Sequence, residues 1–426
     1  MITAAPTLIL LLLCLLGSGL WVGIALMATG VISLELFRDM PTAKLMAFDL
    51  WTSLNRSELM ALPLFILMGE ILFQTRLSQN LFKGLAPILK HLPGGLLHTN
   101  IVGCGLFAAV SGSSAATTQT IGRMTLPELE KRGYDTRLAL GSLCGSGTLG
   151  FLIPPSIILI LYGVLAEVSI LDLFIAGIIP GMLLSLCFMI YVGVRSYNAA
   201  PLPTATDDPF HLLDSIKALL PVSALIILVI GSMYSGITSP SEAAVLGVLG
   251  AFIIGLFDRS LTYKTLISLL EQSVKTISMI GLIISGALFL SKVLAYLQIP
   301  VEMASFIHSL GLSPFMLIVV LIFFYIILGM VVDGLSAIVM TLPIVMPMIL
   351  EAGYSPLWFG IFLVIVVEMS QITPPVGFNL FIAHKLTGKN IGYIAAASMP
   401  FFIIMVLFSL IITLFPQIIL WLPAQL

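Results

Sequence analysis

Two Pro-Pro pairs lie 220 residues apart, and this spacing constrains the fold more than any other feature of the chain. Pro154-Pro155 in the first half corresponds to Pro374-Pro375 in the second. With the same shift, all four prolines between positions 101 and 185 fall on prolines. Proline occupies only 24 of 426 positions, so chance does not account for the match. The chain therefore contains an internal repeat, with a proline-broken segment at the same place in each copy.

Composition indicates that both copies lie in a membrane. Hydrophobic residues make up 59% of the chain and charged residues 9%, whereas soluble domains carry about 25% charged residues. Apolar runs such as 8–27 and 400–422 reach the roughly 20 residues that a helix needs to cross a bilayer. The predicted fold class is an all-α polytopic membrane protein. No basic tract suits a nucleic acid, and the cysteines and histidines show no metal-binding spacing.

The placement of basic residues indicates that the two copies are inverted in the membrane. The loop at 123–137 carries four basic residues, and the equivalent 343–357 carries none. The loop with Glu167 and Asp172 has no base, whereas the matching loop at 384–392 is basic. Basic loops of membrane proteins face the cytoplasm. Each basic loop in one copy therefore has a neutral or acidic counterpart in the other, as expected for an inverted repeat.

The same charge rule predicts two re-entrant hairpins. The sequence on both sides of 96–126 is basic, so this apolar segment should enter and leave on the cytoplasmic side. Its 31 residues are too few for two full spans and a turn. A hairpin with its tip at 111–114 fits, and the mirror hairpin is predicted at 315–350 with its tip near Asp333-Gly334. Non-helical backbone at this depth requires a cover of protein or a wet cavity.

The longest polar stretch separates the two halves and is interpreted as a cytoplasmic linker. The predicted organisation is an N-terminal group of scaffold spans at 1–58, a first inverted repeat at 59–197, the linker at 198–217, a second group of scaffold spans at 218–264 and a second inverted repeat at 265–426.

Four polar, helix-breaking elements interrupt the apolar sequence and pair across the repeat. Proline removes a backbone donor and glycine tolerates unwound geometry, so carbonyls and hydroxyls there can replace water around Na⁺. Exposed helix N-termini can face an anionic substrate. Asp333 adds a carboxylate, which is costly at membrane depth without a partner. The elements are 111–118, 145–150 with Pro154-Pro155, 333–336, and 368–373 with Pro374-Pro375.

Structural interpretations of these elements remain open. Small residues also let helices approach closely, a Pro-Pro pair also kinks a span, and Asp333 could be solvated at the membrane surface. Glu368 could be a proton or ion site, or could support the residues that bind. Glu242 is interpreted instead as part of a helix start, because Ser239-Pro240 precedes it in capping-box spacing.

Three stretches together resemble the large membrane subunit of tripartite ATP-independent periplasmic (TRAP) transporters. They are Val110-Ser111-Gly112-Ser113-Ser114-Ala115-Ala116-Thr117, Gly145-Ser146-Gly147-Thr148-Leu149-Gly150 with Ile153-Pro154-Pro155-Ser156, and Ile372-Thr373-Pro374-Pro375-Val376-Gly377-Phe378-Asn379. The resemblance extends over essentially the whole chain. It implies an inner-membrane permease of a bacterium that imports an organic acid, such as a dicarboxylate or a sialic-acid-like compound, with Na⁺ and an elevator-like motion.

The resemblance also implies partners and site residues. A periplasmic substrate-binding protein would deliver the substrate, and a small membrane subunit is expected as a separate polypeptide, because no four-helix block precedes residue 8. The first Na⁺ site would comprise Ser111, Ser113, Ser114, Gly145, Gly147 and Thr148. The second would comprise Asp333, Gly334, Ser336, Ser370 and Thr373. The substrate would contact Ser114, Thr148, Pro154, Ser336 and Pro374, with Arg123 and Glu368 as further candidates.

Two other functions share features with this sequence. A self-sufficient Na⁺/dicarboxylate symporter would have the same inverted-hairpin plan. A membrane-embedded hydrolase would need a Ser–His or paired-Asp constellation, but His98 and His384 lie near span ends and Asp333 has no intramembrane Asp partner. No nucleotide-binding glycine loop is present, so ATP is not the direct energy source. The sequence therefore predicts a transporter and not an enzyme.

Overall fold

A computed structural model describes residues 4–75, 77–197, 212–302, 305, 311 and 313–425, and these residues form helices and turns without any β-strand. The helices of the first half are α1 (Ala4–Gly17), α2 (Val22–Phe37), α3 (Thr42–Leu54), α4 (Ala61–Gln74), α5 (Leu77–Leu89), α6 (His98–Ser111), α7 (Ser114–Lys131), α8 (Thr136–Gly147), α9 (Leu149–Leu152), α10 (Ile157–Ala166) and α11 (Ile170–Tyr197). Short 3-10 turns occur at Ser57–Met60, Gly95–Leu97 and Pro423–Gln425.

The second half is helical in the same way. Its helices are α12 (Leu212–Tyr234), α13 (Pro240–Phe257), α14 (Tyr263–Tyr296), α15 (Pro314–Gly329), α16 (Gly334–Glu351), α17 (Pro356–Ser370), α18 (Phe378–Thr387), α19 (Ile391–Leu414) and α20 (Gln417–Leu420).

Several of these helices are long and apolar enough to cross a membrane. By length and composition, seven helical segments among the described residues qualify, and eight if the bent pair formed by α8–α9 and α10 is one span. Large apolar side chains in the middle of such helices, for example Met182 and Ile227, are exposed, where lipid rather than water suits them. The predicted all-α polytopic membrane fold is confirmed.

The helix boundaries reproduce the repeat that the prolines indicate. Shifted by 220 residues, α7 falls on α16, α2 falls within α13, and α11 falls on α19. The long helix α14 covers the positions that correspond to both α3 and α4. Both Pro-Pro peptide bonds are cis. The repeat therefore includes helices α2–α4 as well as the predicted hairpins.

The two proline-broken helices run in opposite directions. The hydroxyl of Tyr162, on α10, donates to the carbonyl oxygen of Pro356 at the start of α17, at 2.6 Å. At the other end, Thr136 at the start of α8 and Lys389 just after α18 line one cavity. The first broken helix therefore begins where the second one ends. This arrangement agrees with the inversion predicted from charge, and it brings the basic loops at 123–137 and 384–392 to the same end of the molecule.

The helices form two groups that only partly match the predicted domains. Helices α1–α5 pack with α12–α14, and α14 lies along α2 as α13 lies along α4. Helices α6–α11 and α15–α19 form the second group around the breaks. Helices α4 and α5, predicted to belong to the first repeat at 59–197, therefore pack with the scaffold spans.

The predicted linker is only partly testable, and its last part is wrong. Residues 198–211 lie outside the described residues. Residues 212–217 are not a linker but the first turns of α12. Asp214 lies in that first turn, where a carboxylate is favourable beside the positive end of the helix dipole. The polar residues at 212–217, which suggested a linker, are thus equally typical of the start of a helix.

Cysteine accessibility tests the orientation of the loops. In a background without Cys14 and Cys187, Lys131→Cys and Lys389→Cys should react with a membrane-impermeant maleimide only after the inner membrane is opened. Asp172→Cys should react in intact spheroplasts, because its loop is acidic. Labelling of Lys131→Cys and Lys389→Cys from opposite sides would contradict the inverted repeat.

Candidate functional site

The tip of the first helix–break–helix element lies against the first broken helix. Helix α6 ends at Ser111, Gly112 takes the left-handed conformation with φ of 58°, and the side chain of Ser113 caps α7. The carbonyl oxygen of Gly112 accepts from the amide of Ile157 at 3.5 Å. A Cβ atom on Gly150 would stand 2.6 Å from the backbone nitrogen of Ser114. The contact therefore requires glycine at 150, as the polar, glycine-rich sequence suggested.

Four residues from four helices meet behind this tip, and we call them the central polar cluster. Ser114 Oγ lies 3.0 Å from the carbonyl oxygen of Gly147 and 3.0 Å from Glu368 Oε2. Asn379 Nδ2 lies 3.1 Å from the same Ser114 Oγ. All four residues are buried. Ser114 and Gly147 belong to the first half, whereas Glu368 and Asn379 belong to the second, so the cluster joins the two repeats.

Glu368 is the ionisable member of the cluster and is only 1% exposed. Its Oε1 atom has no hydrogen-bond partner within the described part of the chain. Among the described residues, no group of three or more His, Cys, Asp or Glu side chains could hold a metal ion. A cation bound at the cluster would therefore depend on hydroxyl, amide and carbonyl oxygens besides this one carboxylate.

The structure separates the other residues predicted for the first Na⁺ site. Ser111 Oγ pairs with Thr117 Oγ1 at 2.9 Å, and Ser113 serves as a helix cap. A Cβ atom on Gly145 would meet the ring of Phe401. The hydroxyl of Thr148 bonds to the Gly145 carbonyl and faces Met405. Gly145 and Thr148 thus face α19, and only Ser114 and Gly147 of this set converge on the cluster.

The residues predicted for the second Na⁺ site lie around the second break. Asp333 is exposed, and its carboxylate accepts from the amide of Ser336 at 3.1 Å as the N-cap of α16. A Cβ atom on Gly334 would stand 2.7 Å from Val367, so this break also touches its broken helix. The hydroxyl of Ser370 donates to the carbonyl of Val367, and the hydroxyl of Thr373, just beyond α17, donates to the carbonyl of Met369.

The two halves differ in how open they are. Pro154 and Pro155 are buried, whereas Pro374 and Pro375 are exposed. Of the residues predicted to contact substrate, Ser114, Thr148 and Pro154 are therefore enclosed in this conformation. Ser336 is also buried, and Pro374 is accessible.

Arg123 lies away from the cluster. It is exposed and lines a cavity of about 370 Å³ with Glu130, Tyr134 and Lys389. This cavity lies at the basic end of the molecule, between α7, α8 and α18. Arg123 is nine residues beyond Ser114 on the same helix, a distance of about 13 Å along the helix axis. The structure therefore does not bring it to the predicted substrate residues.

Two polar residues near the breaks were not predicted as site residues. Asn379 is fully buried in the cluster, and Gln371 is 6% exposed beside Gly334. The repeat offered one signal for Asn379, because the matching position in the first half is the apolar Leu159. A polar residue that breaks the repeat inside an apolar run is a candidate functional residue.

The structure confirms the interpretation of Glu242. Its carboxylate accepts from the amide of Ser239 at 2.7 Å, and its own amide donates to the Ser239 hydroxyl at 3.4 Å. This is the capping box at the start of α13, with Pro240 in the first turn. Glu242 is thus part of the helix start.

Comparison with known proteins agrees with this architecture. Residues 8–418 match the family model described as "Tripartite ATP-independent periplasmic transporter, DctM component". A C4-dicarboxylate TRAP transporter large permease protein of Pseudomonas aeruginosa is 34% identical, over 93% of this chain and 92% of its own length. One of the same name from Rhodobacter capsulatus is 31% identical, over 97% of both chains. A sialic acid TRAP transporter permease protein of Haemophilus influenzae is 30% identical, over 87% of this chain and 60% of its own length.

Solved structures share the fold at low sequence identity. The Alcanivorax borkumensis YdaH transporter superposes with a TM-score of 0.65 at 14% identity, over 90% of this chain and 89% of that one. Neisseria gonorrhoeae MtrF gives a TM-score of 0.55 at 13% identity, over 88% of this chain and 83% of that one.

Proposed function

The chain belongs to the DctM component family of tripartite ATP-independent periplasmic transporters, and we propose that it imports an organic acid by coupling the import to Na⁺. It is a multi-pass permease of the inner membrane. In this proposal a periplasmic substrate-binding protein delivers the acid, and a small membrane subunit is a second partner. One relative is named as a permease protein DctMQ for isethionate, and this chain covers 58% of its length. The remaining length of such a relative is room for a fused small subunit.

One observation carries the proposal: each half supplies a break that touches its own broken helix, and the two broken helices are antiparallel. Unwound backbone at the membrane midplane is where secondary transporters hold ions and anionic substrates. Carbonyl ends of helices favour cations, and helix N-termini favour anions. The central polar cluster contains both kinds of helix end.

We assign one Na⁺ site to each half. Ser114 and Gly147 are the members of the first predicted set whose polar atoms converge. The second site is proposed at Asp333, Gly334, Ser336, Ser370 and Thr373, with the carbonyls of the second break. The substrate would lie between the two breaks, next to Ser114, Ser336 and Pro374.

The chemistry of the substrate is proposed from the relatives. Their names give C4-dicarboxylates, sialic acid and isethionate, all of them organic anions. Among the residues that the structure describes, no arginine lies in the central polar cluster to bind a substrate carboxylate. We therefore expect the helix N-termini at the two breaks, α7 and α16, to contribute to anion binding.

The two groups of helices suggest how transport would occur. The breaks and broken helices form one packed group, and α1–α5 with α12–α14 form the other. We propose that the group containing the breaks moves as an elevator against the group formed by α1–α5 and α12–α14. The buried Pro154 and the exposed Pro374 would then mark the closed and the open side of the substrate region in this conformation.

Reconstitution in liposomes tests the proposal. The full chain and a small membrane subunit would be supplied with a substrate-binding protein from the same organism, a radiolabelled C4-dicarboxylate or sialic acid, and an inward Na⁺ gradient. Uptake is expected only when both the binding protein and the Na⁺ gradient are present. Equal uptake with a K⁺ gradient would refute Na⁺ coupling. Uptake by the chain alone would identify a self-sufficient symporter instead.

A further inference from the structure

Glu368 is a buried carboxylate without a counter-ion among the described residues. It lies in the last turn of α17, and no Lys, Arg or His forms an ion pair with it in the part of the chain that the structure describes. The nearest bases on the contributing helices are several residues away: His384 is five residues beyond Asn379, about 7 Å along α18, and Arg123 lies further along α7. A buried charge is retained only where something of opposite sign pairs with it.

The surroundings of Glu368 contain more acceptors than donors. The hydroxyl of Ser114 has one hydrogen. Three oxygens lie within reach of it, namely Gly147 O at 3.0 Å, Glu368 Oε2 at 3.0 Å and Asn379 Oδ1 at 3.4 Å. The carbonyl oxygen of Cys144 lies 3.5 Å from Asn379 Nδ2. At least two of the three oxygens around Ser114 therefore receive no hydrogen from it, and Glu368 Oε1 has no hydrogen-bond partner among the described residues.

Helix ends do not supply the missing positive charge. Glu368 and Gly147 lie at the C-terminal ends of α17 and α8, where the helix dipole is negative. Ser114 and Asn379 lie at the N-terminal ends of α7 and α18, where it is positive. The two positive and the two negative helix ends offset each other, so an ionised Glu368 would need a cation beside it. A small hard cation suits a group of hydroxyl, amide, carbonyl and carboxylate oxygens.

We propose that Glu368 is the anionic ligand of a Na⁺ site that it forms with Ser114, Asn379 and the carbonyl oxygen of Gly147. This inference rests on the proposed Na⁺ coupling and redefines the first site, because Ser111, Gly145 and Thr148 have other contacts. Two ligands come from each half of the chain. A bound ion would therefore hold the tip of the first element against both broken helices, and its loss would release that contact.

Equilibrium binding of ²²Na⁺ tests the site independently of transport. The full chain, purified with its small membrane subunit in nanodiscs, would be compared with Glu368→Gln, which keeps the shape of the side chain and removes its charge. Glu351→Gln is the matched control, because Glu351 is an exposed carboxylate at the end of α16. Glu368→Gln should bind about one Na⁺ fewer per chain and need at least tenfold more Na⁺ for half-maximal uptake. Glu351→Gln should match the unsubstituted chain.

Four results would overturn the inference. If the unsubstituted chain binds Na⁺ and Glu368→Gln binds the same number, this site is wrong and the proposed Na⁺ coupling stands. If the unsubstituted chain binds no Na⁺ at all, both fail. If substitution changes the dependence of uptake on pH but not on Na⁺, Glu368 carries a proton. Should Glu368→Gln not fold, Glu368→Asp keeps the charge and retracts it by one methylene, and unchanged Na⁺ affinity in that variant would also reject the site.

Discussion

Gly150→Ala should abolish Na⁺-dependent uptake and lower the melting temperature of the purified chain. A Cβ atom at this position would lie 2.6 Å from both Cα and N of Ser114 and 2.7 Å from the carbonyl carbon of Ser113. These are backbone atoms, so no side-chain rotation relieves the clash. Overpacking of this kind costs about 1–3 kcal/mol. The first break would be pushed off its broken helix, and Ser114 would leave the central polar cluster.

Gly281→Ala is the matched control for this prediction. Gly281 lies inside α14, and a Cβ atom there would have nothing within 4 Å. Alanine in place of glycine inside a helix stabilises by about 0.5–1 kcal/mol. Uptake and thermal unfolding monitored by intrinsic fluorescence would be measured for both variants. If Gly150→Ala transports as well as Gly281→Ala, the close contact between tip and broken helix is not needed for function.

The features that depend on local sequence could be predicted well. Glycine and proline act on the backbone where they stand, so the breaks at Gly112 and before Gly334 were found, as were both proline-broken helices. The helix–break–helix pairs α6–α7 and α15–α16 lie at the positions predicted for the hairpins, 96–126 and 315–350, and their re-entrant course stays a prediction. The capping box at Glu242 is likewise a contact between residues three positions apart.

The contacts between segments could not be predicted in the same way. Asn379 meets Ser114 across 265 positions of sequence, and no local pattern records that distance. Repeat symmetry was misleading here, because it suggested that residues at matching positions have the same role. Glu368 lies in the cluster beside Ser114, whereas Thr148, at the matching position in the first half, faces Met405 on α19. Symmetry of the backbone is therefore compatible with different chemistry in the two halves.

Asp333→Asn should raise the Na⁺ concentration for half-maximal uptake about tenfold, equivalent to about 1.4 kcal/mol, without lowering the melting temperature. Asparagine caps a helix as well as aspartate does, so the bond to the amide of Ser336 is kept while the charge is lost. Asp333→Ala removes both the charge and the cap and should cost about a further 1 kcal/mol of stability. Comparing the two variants separates ion binding from helix capping.

The exposure of Asp333 makes the conditions of this measurement decisive. An exposed charge is screened by salt, so Na⁺ must be varied at constant ionic strength, with K⁺ as the replacement. Glu351→Gln removes an exposed charge from the other end of the same helix and should leave the Na⁺ dependence unchanged. If Asp333→Asn keeps the original Na⁺ dependence and only Asp333→Ala is destabilised, Asp333 is a helix cap. The ligands of the second site would then be the backbone carbonyls around Thr373. Glu368 would be the carboxylate ligand of the proposed sites.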